Sequence, residues 1–177
     1  MKKFSTSPIK HTPNAVQVLS TKGNWQSNAR KAGVGVVIRN STGEFLGGLA
    51  ASPVGHSALE VEAEAAVMGL EFAANLGYND VYLETDSKTL VDGIKGDIRN
   101  RAWTIRPSIE VIWLRADQFK RVFWRWVQRS SNRAAREAAT IGCRAVELCY
   151  STTVVSHTCF GVSWSSSCLL AWNLMHG

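Results

Sequence analysis

Gly33-Val34-Gly35-Val36-Val37-Ile38-Arg39-Asn40-Ser41-Thr42-Gly43-Glu44-Phe45-Leu46-Gly47-Gly48-Leu49-Ala50 is the stretch that decides the fold. Its opening run, Gly33 to Arg39, is continuous and β-branched, the pattern of a buried strand. Asn40-Ser41-Thr42-Gly43 supplies turn formers, and residues 44–50 return as the hairpin partner. Before this hairpin, residues 16–21 read as a short strand. After it, residues 59–76 are rich in Ala, Leu, Glu and Met and stop at Gly77, as a helix does. Residues 81–85 read as a strand, and Asp86-Ser87 opens a helix running through Ile94. Ile109, Ile112, Trp113, Ala116 and Phe119 recur at helical spacing, residues 122–127 form a further strand, and Ser131 opens an alanine-rich helix. The order β-β-β-α-β-α-α-β-α specifies an α/β domain. Its sheet is mixed and five-stranded, antiparallel at the front with parallel strands added behind, and flanked by helices.

Composition frames this reading. The chain has 177 residues, 45% of them hydrophobic and 19% charged, which suits one packed domain and excludes collagen-like, coiled-coil and largely disordered classes. Twenty Lys and Arg face fourteen Asp and Glu, a formal charge of +6 that favours polyanionic partners. Residues 1–14 are polar, with Pro8 and Pro13, and read as a disordered leader. The domain spans 15–147, and residues 148–177 form a tail without Asp, Glu, Lys or Arg that is expected to be poorly ordered. Ser163-Trp164-Ser165-Ser166-Ser167 dilutes that tail, so a membrane span is not expected. All four cysteines lie at or beyond 143 in no zinc-like spacing, and they are expected to be reduced structural thiols. No apolar segment follows Met1-Lys2-Lys3, so the default address is intracellular, nuclear or cytoplasmic, and a monomer is expected.

In an open α/β sheet, acids at strand ends and on adjoining helix turns converge on one site. Asp86 closes the strand 81–85 at its carboxyl end, and Glu62 lies in the first turns of the long helix, whose positive end tolerates an acid. Each also has a plain structural reading, Asp86 as a cap and Glu62 as part of a solvated face with Glu60 and Glu64.

The words around these acids narrow the choice. The hairpin 33–48, Glu62-Ala63-Glu64-Ala65-Ala66-Val67-Met68-Gly69-Leu70, Leu83-Glu84-Thr85-Asp86-Ser87 and Arg129-Ser130-Ser131-Asn132-Arg133-Ala134-Ala135-Arg136 together resemble the RNase H family. The likeness is nearest to its plant retrotransposon-derived, reverse-transcriptase-like branch, and it covers residues 17 to about 142. The resemblance implies an RNase H-like fold and an endonuclease that cuts the RNA strand of an RNA–DNA hybrid. It implies four carboxylates holding two divalent cations, Mg²⁺ or Mn²⁺, one activating water and the other steadying the leaving oxygen. Glu62 and Asp86 match the second and third acids.

The first and fourth acids have no match. Aligning Val18-Leu19-Ser20-Thr21-Lys22-Gly23 with the family's first strand puts Lys22 at the bridging acid, and no Asp or Glu precedes Glu44. Arg136 stands at the fourth, with Glu137 one helix step, about 100°, away. The expected arrangement has Lys22 and Arg136 neutralising Glu62 and Asp86, closing the metal site and impairing catalysis. The alternatives are a non-catalytic nucleic-acid-binding module or a decayed transposon-derived fragment.

For nucleic acid, Arg125, Arg129 and Arg133 are the candidate backbone contacts. The resemblance adds Arg129 and Asn132 as residues shaping the substrate groove, and Gly23 and Asn24 would let backbone approach a phosphate. Val122, Trp124 and Trp126 share one strand face and are assigned to the core, with Phe123 and Arg125 on the other.

Overall fold

The computed structural model describes residues 16–29, 31–96, 100–144 and 149–152. Strands β1 (Gln17–Gln26), β2 (Lys31–Arg39) and β3 (Phe45–Ala51) form an antiparallel meander. Helix α1 (Ala58–Asn75) leads to β4 (Asp80–Thr85), which pairs with β1 in parallel, and α2 (Lys88–Ile94) follows. A 3₁₀ segment (Asn100–Ile105) precedes α3 (Arg106–Ala116), and β5 (Arg121–Trp126) then joins β4 in parallel. A second 3₁₀ turn (Arg129–Asn132) leads into α4 (Arg133–Gly142).

The expected five strands are present, and a sixth corrects the count. β6 (Cys149–Thr152) pairs antiparallel with β3, giving the order β5-β4-β1-β2-β3-β6. Residues 149–152, assigned from sequence to the tail, therefore belong to the sheet; the leader 1–14 and the rest of the tail lie outside the described residues. β1 also runs five residues past its expected end, because Lys22 to Gln26 continue the ladder opposite Gly35 to Lys31. Those residues show little apolar alternation, although Trp25 packs against the core; pairing with the backbone of β2 holds them extended.

Local chemistry sets the helix ends. The Ser57 hydroxyl caps α1 by accepting from the Glu60 amide, and the Ser87 hydroxyl caps α2 by accepting from Leu90. Gly77 ends the turn after α1 at φ 79°, a conformation that favours glycine.

Two glycine positions fix how helices seat on the sheet. A Cβ on Gly23 would overlap the α1 backbone at Val61 and Glu62, whereas one on Gly35 would overlap the α4 backbone at Ala135 and Ala139. Gly23 pairs with Val34, one step out of phase with Gly35, so α1 and α4 lie on opposite faces of the sheet. The core between α1 and the sheet gathers Leu19, Val34, Val36, Leu70, Leu83 and Leu90, with Ile109 and Ile112 from α3. Arg115 of α3 pairs with Glu71 of α1 at 2.7 Å. Among the described residues no helix is long and apolar enough to cross a membrane.

The tryptophan assignment needs correction. Trp124 is partly buried against the core, but Trp126 is 47% exposed and its indole donates to the Asp86 carbonyl at 3.2 Å. β5 is an edge strand, and its last residue has run past the helices that cover Trp124.

Placing a methyl at Gly35 forces α4 away from the sheet. Gly35→Ala is expected to cost about 1–3 kcal/mol, the usual penalty of overpacking, read as a lower urea midpoint with unchanged slope. Gly43→Ala, at a φ 89° turn with open space around it, tests backbone strain without a clash and is expected to cost about 1–2 kcal/mol.

Candidate functional site

Three elements bring the matched residues together. Lys22 leaves β1 on the α4 face, Glu62 projects from the first turns of α1 at the adjoining sheet end, and Asp86 follows the last residue of β4. The Lys22 ammonium donates to Glu62 Oε1 and, at 3.0 Å, to Asp86 Oδ1. The Gly23 amide donates to Glu62 Oε2 at 3.0 Å, so both Glu62 oxygens are engaged from one dipeptide. Lys22 is 16% exposed and the Asp86 side chain 2%, leaving the pairs little screened by water. Burial pushes the Glu62 carboxyl above its ordinary range, and the Lys22 charge and hydrogen bond draw it back.

The second cation differs from the one expected. Arg136 is exposed in α4 and forms no ion pair with either acid among the described residues, and Glu137 is likewise exposed. The guanidinium near Asp86 belongs to Arg129, whose Nε lies 3.7 Å from Oδ2. Arg129 sits in the 3₁₀ turn that follows β5, beside the end of β4, while Arg136 lies exposed on α4. Arg129 itself is 81% exposed, and Arg133 and Arg136 are exposed three residues apart on α4, hence on one face.

Three other candidates make contacts within the fold. Asn132 is buried and donates through Nδ2 to the Thr21 carbonyl at 2.9 Å, tying the start of α4 to β1. Gly23 has its amide bound to Glu62 and its α-carbon against α1. The Asn24 carbonyl faces the Cys143 thiol at 3.9 Å.

Arg125 belongs to a cluster the sequence did not reveal as one. It donates to Glu84 Oε1, while Glu84 Oε2 accepts from Arg39 at 2.7 Å and from Ser20 at 3.3 Å. The signal was available: an acid between Leu83 and Thr85 in a buried strand requires cationic partners. Their identity depends on strand order, which sequence spacing does not encode.

The donor set can be set against a pair of divalent cations. Two carboxylates converge here, and an ammonium stands between them. Among the described residues no group of three or more His, Cys, Asp or Glu could hold a metal ion. Hard cations take oxygen ligands, and here an ammonium at hydrogen-bond range occupies oxygens of both carboxylates and repels a divalent ion. The residues present do not fit the family's two-metal centre.

Comparison with solved structures places the fold. The chain is similar to RNase H1 from the halophilic archaeon Halobacterium salinarum, with TM-score 0.67 and 21% identity over 71% of this chain and 96% of that one. It is similar to the N-terminal RNase H domain of a Mycobacterium tuberculosis protein, with TM-score 0.66 and 22% identity over 74% and 95%. It is also similar to LC11-RNase H1 in complex with RNA/DNA hybrid, with TM-score 0.66 and 21% identity over 72% and 96%. The architecture is therefore the RNase H fold. No curated protein matches in sequence. The family model described as reverse transcriptase-like matches residues 20–142, over two thirds of the chain, and the chain belongs to that family.

Removing the ammonium gives a test with a definite sign. Lys22→Met leaves Glu62 and Asp86 buried without their shared counter-charge and is expected to destabilise by about 3 kcal/mol near pH 8. It also removes what holds the Glu62 carboxyl down, so its folded value rises further above the unfolded one. The folded variant then binds a proton that the unfolded chain releases, and its stability improves as pH falls through that raised value. The melting-temperature gap to the parent protein should narrow from about pH 8 to about pH 5; a gap that is constant or widens is the contrary result.

Proposed function

We propose that this domain is an RNase H-fold module that binds nucleic acid and cleaves RNA–DNA hybrid poorly or not at all. One observation carries the reading: the Lys22 ammonium donates to both carboxylates that the family uses as metal ligands. In a two-metal reaction the first strand supplies an acid that bridges both ions. A lysine there carries charge of the same sign as the metals and takes up the remaining ligands. The pair Lys22–Glu62 and Lys22–Asp86 ties β1 to α1 and β4, so this charge pattern acts as a structural clamp.

Binding needs less than cleavage. Arg129 presents an exposed guanidinium beside the clamp, Arg133 and Arg136 present theirs on the exposed side of α4, and the chain carries a formal +6 charge. Such contacts give sequence-independent, salt-sensitive affinity. A related fold, LC11-RNase H1, has been crystallised with RNA/DNA hybrid, which makes hybrid duplex the first ligand to test.

Purified protein incubated with labelled hybrid in Mg²⁺ or Mn²⁺ is expected to cut no more than its Glu62→Ala variant. Clear metal-dependent cutting above that control overturns the reading. The double change Lys22→Asp with Arg136→Asp restores the acidic pattern and is expected to gain metal-dependent cleavage. Hybrid binding through three phosphate contacts should weaken on the order of 40-fold between roughly 50 and 200 mM salt; affinity indifferent to salt contradicts an arginine-to-phosphate mode.

A further inference from the structure

The clamp does not end the polar surface on its side of the sheet. Cross-strand partners share a face, and the register places Arg39, Val18, Tyr82 and Phe123 in one row and Ser20, Glu84 and Arg125 in the next. Lys22 follows two residues after Ser20 along β1, so it continues the same face. Helix α4 packs on β1, β2 and β3. Beyond it, at β4 and β5, this face is open: Phe123 is 38% exposed, and Arg121 and Arg125 are half-exposed.

Its chemistry is unusual for a sheet face turned to solvent. Tyr82 and Phe123 stack with ring centroids 4.6 Å apart and planes at 23°. The Arg125 guanidinium lies 5.5 Å from the Tyr82 centroid and that of Arg121 lies 6.0 Å from the Phe123 centroid. Buried Glu84 holds Arg39 and Arg125 together, and buried Asp80 holds Arg121 at 2.7 Å. Three guanidiniums against two carboxylates leave a net positive charge, and the paired nitrogen of each arginine is only part of its five-donor fork. An aromatic pair flanked by oriented guanidiniums suits a ligand with flat π-faces strung on phosphates. Duplex bases are stacked on one another and cannot offer their faces, whereas unpaired bases can.

We propose that the open face of β4 and β5 is a second nucleic-acid surface, where Tyr82 and Phe123 stack an unpaired base and Arg39, Arg121 and Arg125 take the phosphates of a single strand. This deepens the nucleic-acid reading above and rests on it. The Lys22 end of the same face adjoins Arg129, so a strand leaving a duplex held there would meet the aromatic pair next. An acidic peptide would engage the same arginines without needing the rings.

The test uses the full chain, a fluorescein-labelled single-stranded oligothymidylate, a hybrid duplex and a poly-glutamate peptide, read by anisotropy. Phe123→Leu keeps an apolar side chain and removes the π-face; Arg39→Gln removes one guanidinium while leaving Arg125 on Glu84. Each is expected to weaken single-strand binding about five- to tenfold and change hybrid binding less than about twofold; Phe123→Leu leaves the melting temperature near that of the parent, while Arg39→Gln lowers it because buried Glu84 loses one of its two guanidiniums. A second pair of variants, Phe123→Tyr and Arg39→Lys, is expected to recover most of the loss. Single-strand affinity unaffected by Phe123→Leu, or equal losses for single strand and hybrid, overturns the second surface while the hybrid reading stands. Peptide binding tighter than oligonucleotide binding also overturns it. Failure of the parent to bind either nucleic acid overturns both proposals.

Discussion

A single ammonium organises the end of this sheet. Lys22 donates to Glu62 on α1 and to Asp86 at the end of β4, so one side chain on β1 links the central strand to its helix and to its parallel neighbour. Buried carboxylates brought this close repel one another, and burial itself disfavours their charged forms. A cation between them offsets that repulsion. In metal-using relatives of this architecture divalent ions would serve that need; here the chain carries its own positive charge. The same geometric demand is met by a fixed side chain that cannot exchange, coordinate water or leave with product.

The arrangement depends on close backbone approach. Gly23 follows Lys22, and the absence of a side chain there lets α1 come near enough for the Gly23 amide to reach Glu62. On the other face, Gly33 and Gly35 let α4 press against β2, and Asn132 fastens the start of α4 to the Thr21 carbonyl. The clamp is thus built from adjacent positions on β1, with Thr21 holding α4, Lys22 holding both acids and Gly23 holding α1. Arg129 enters because the turn after β5 delivers it to Asp86.

Much of this was legible in the sequence where local chemistry decides structure. The β-branched run from Gly33, the turn at Asn40 to Gly43, the helix ending at Gly77 and the Ser87 cap lie where residue types place them, whereas Ser131 falls inside the 3₁₀ turn and α4 starts after Asn132. Glu62, Asp86 and Lys22 were legible because motif order fixed their register. What the sequence did not disclose depends on pairing between distant segments. β6 reads as uncharged tail until the edge of β3 receives it. Arg136 occupies the motif position of an acid, but the 3₁₀ turn brings Arg129 to Asp86 instead. The Arg39–Glu84–Arg125 group joins three strands spread across 86 positions, and only the order β4-β1-β2 with β5 outside makes it one cluster. Trp126 looked like core by alternation, yet an edge strand has no layer to bury its last residue.

The central claim is that Lys22 holds the position of a metal. Anomalous diffraction from a crystal soaked in Mn²⁺ tests it directly. The account predicts no manganese peak between Glu62 and Asp86, with the Lys22 ammonium in continuous density to both carboxylates. Two manganese peaks there, with Lys22 displaced into solvent, would contradict it.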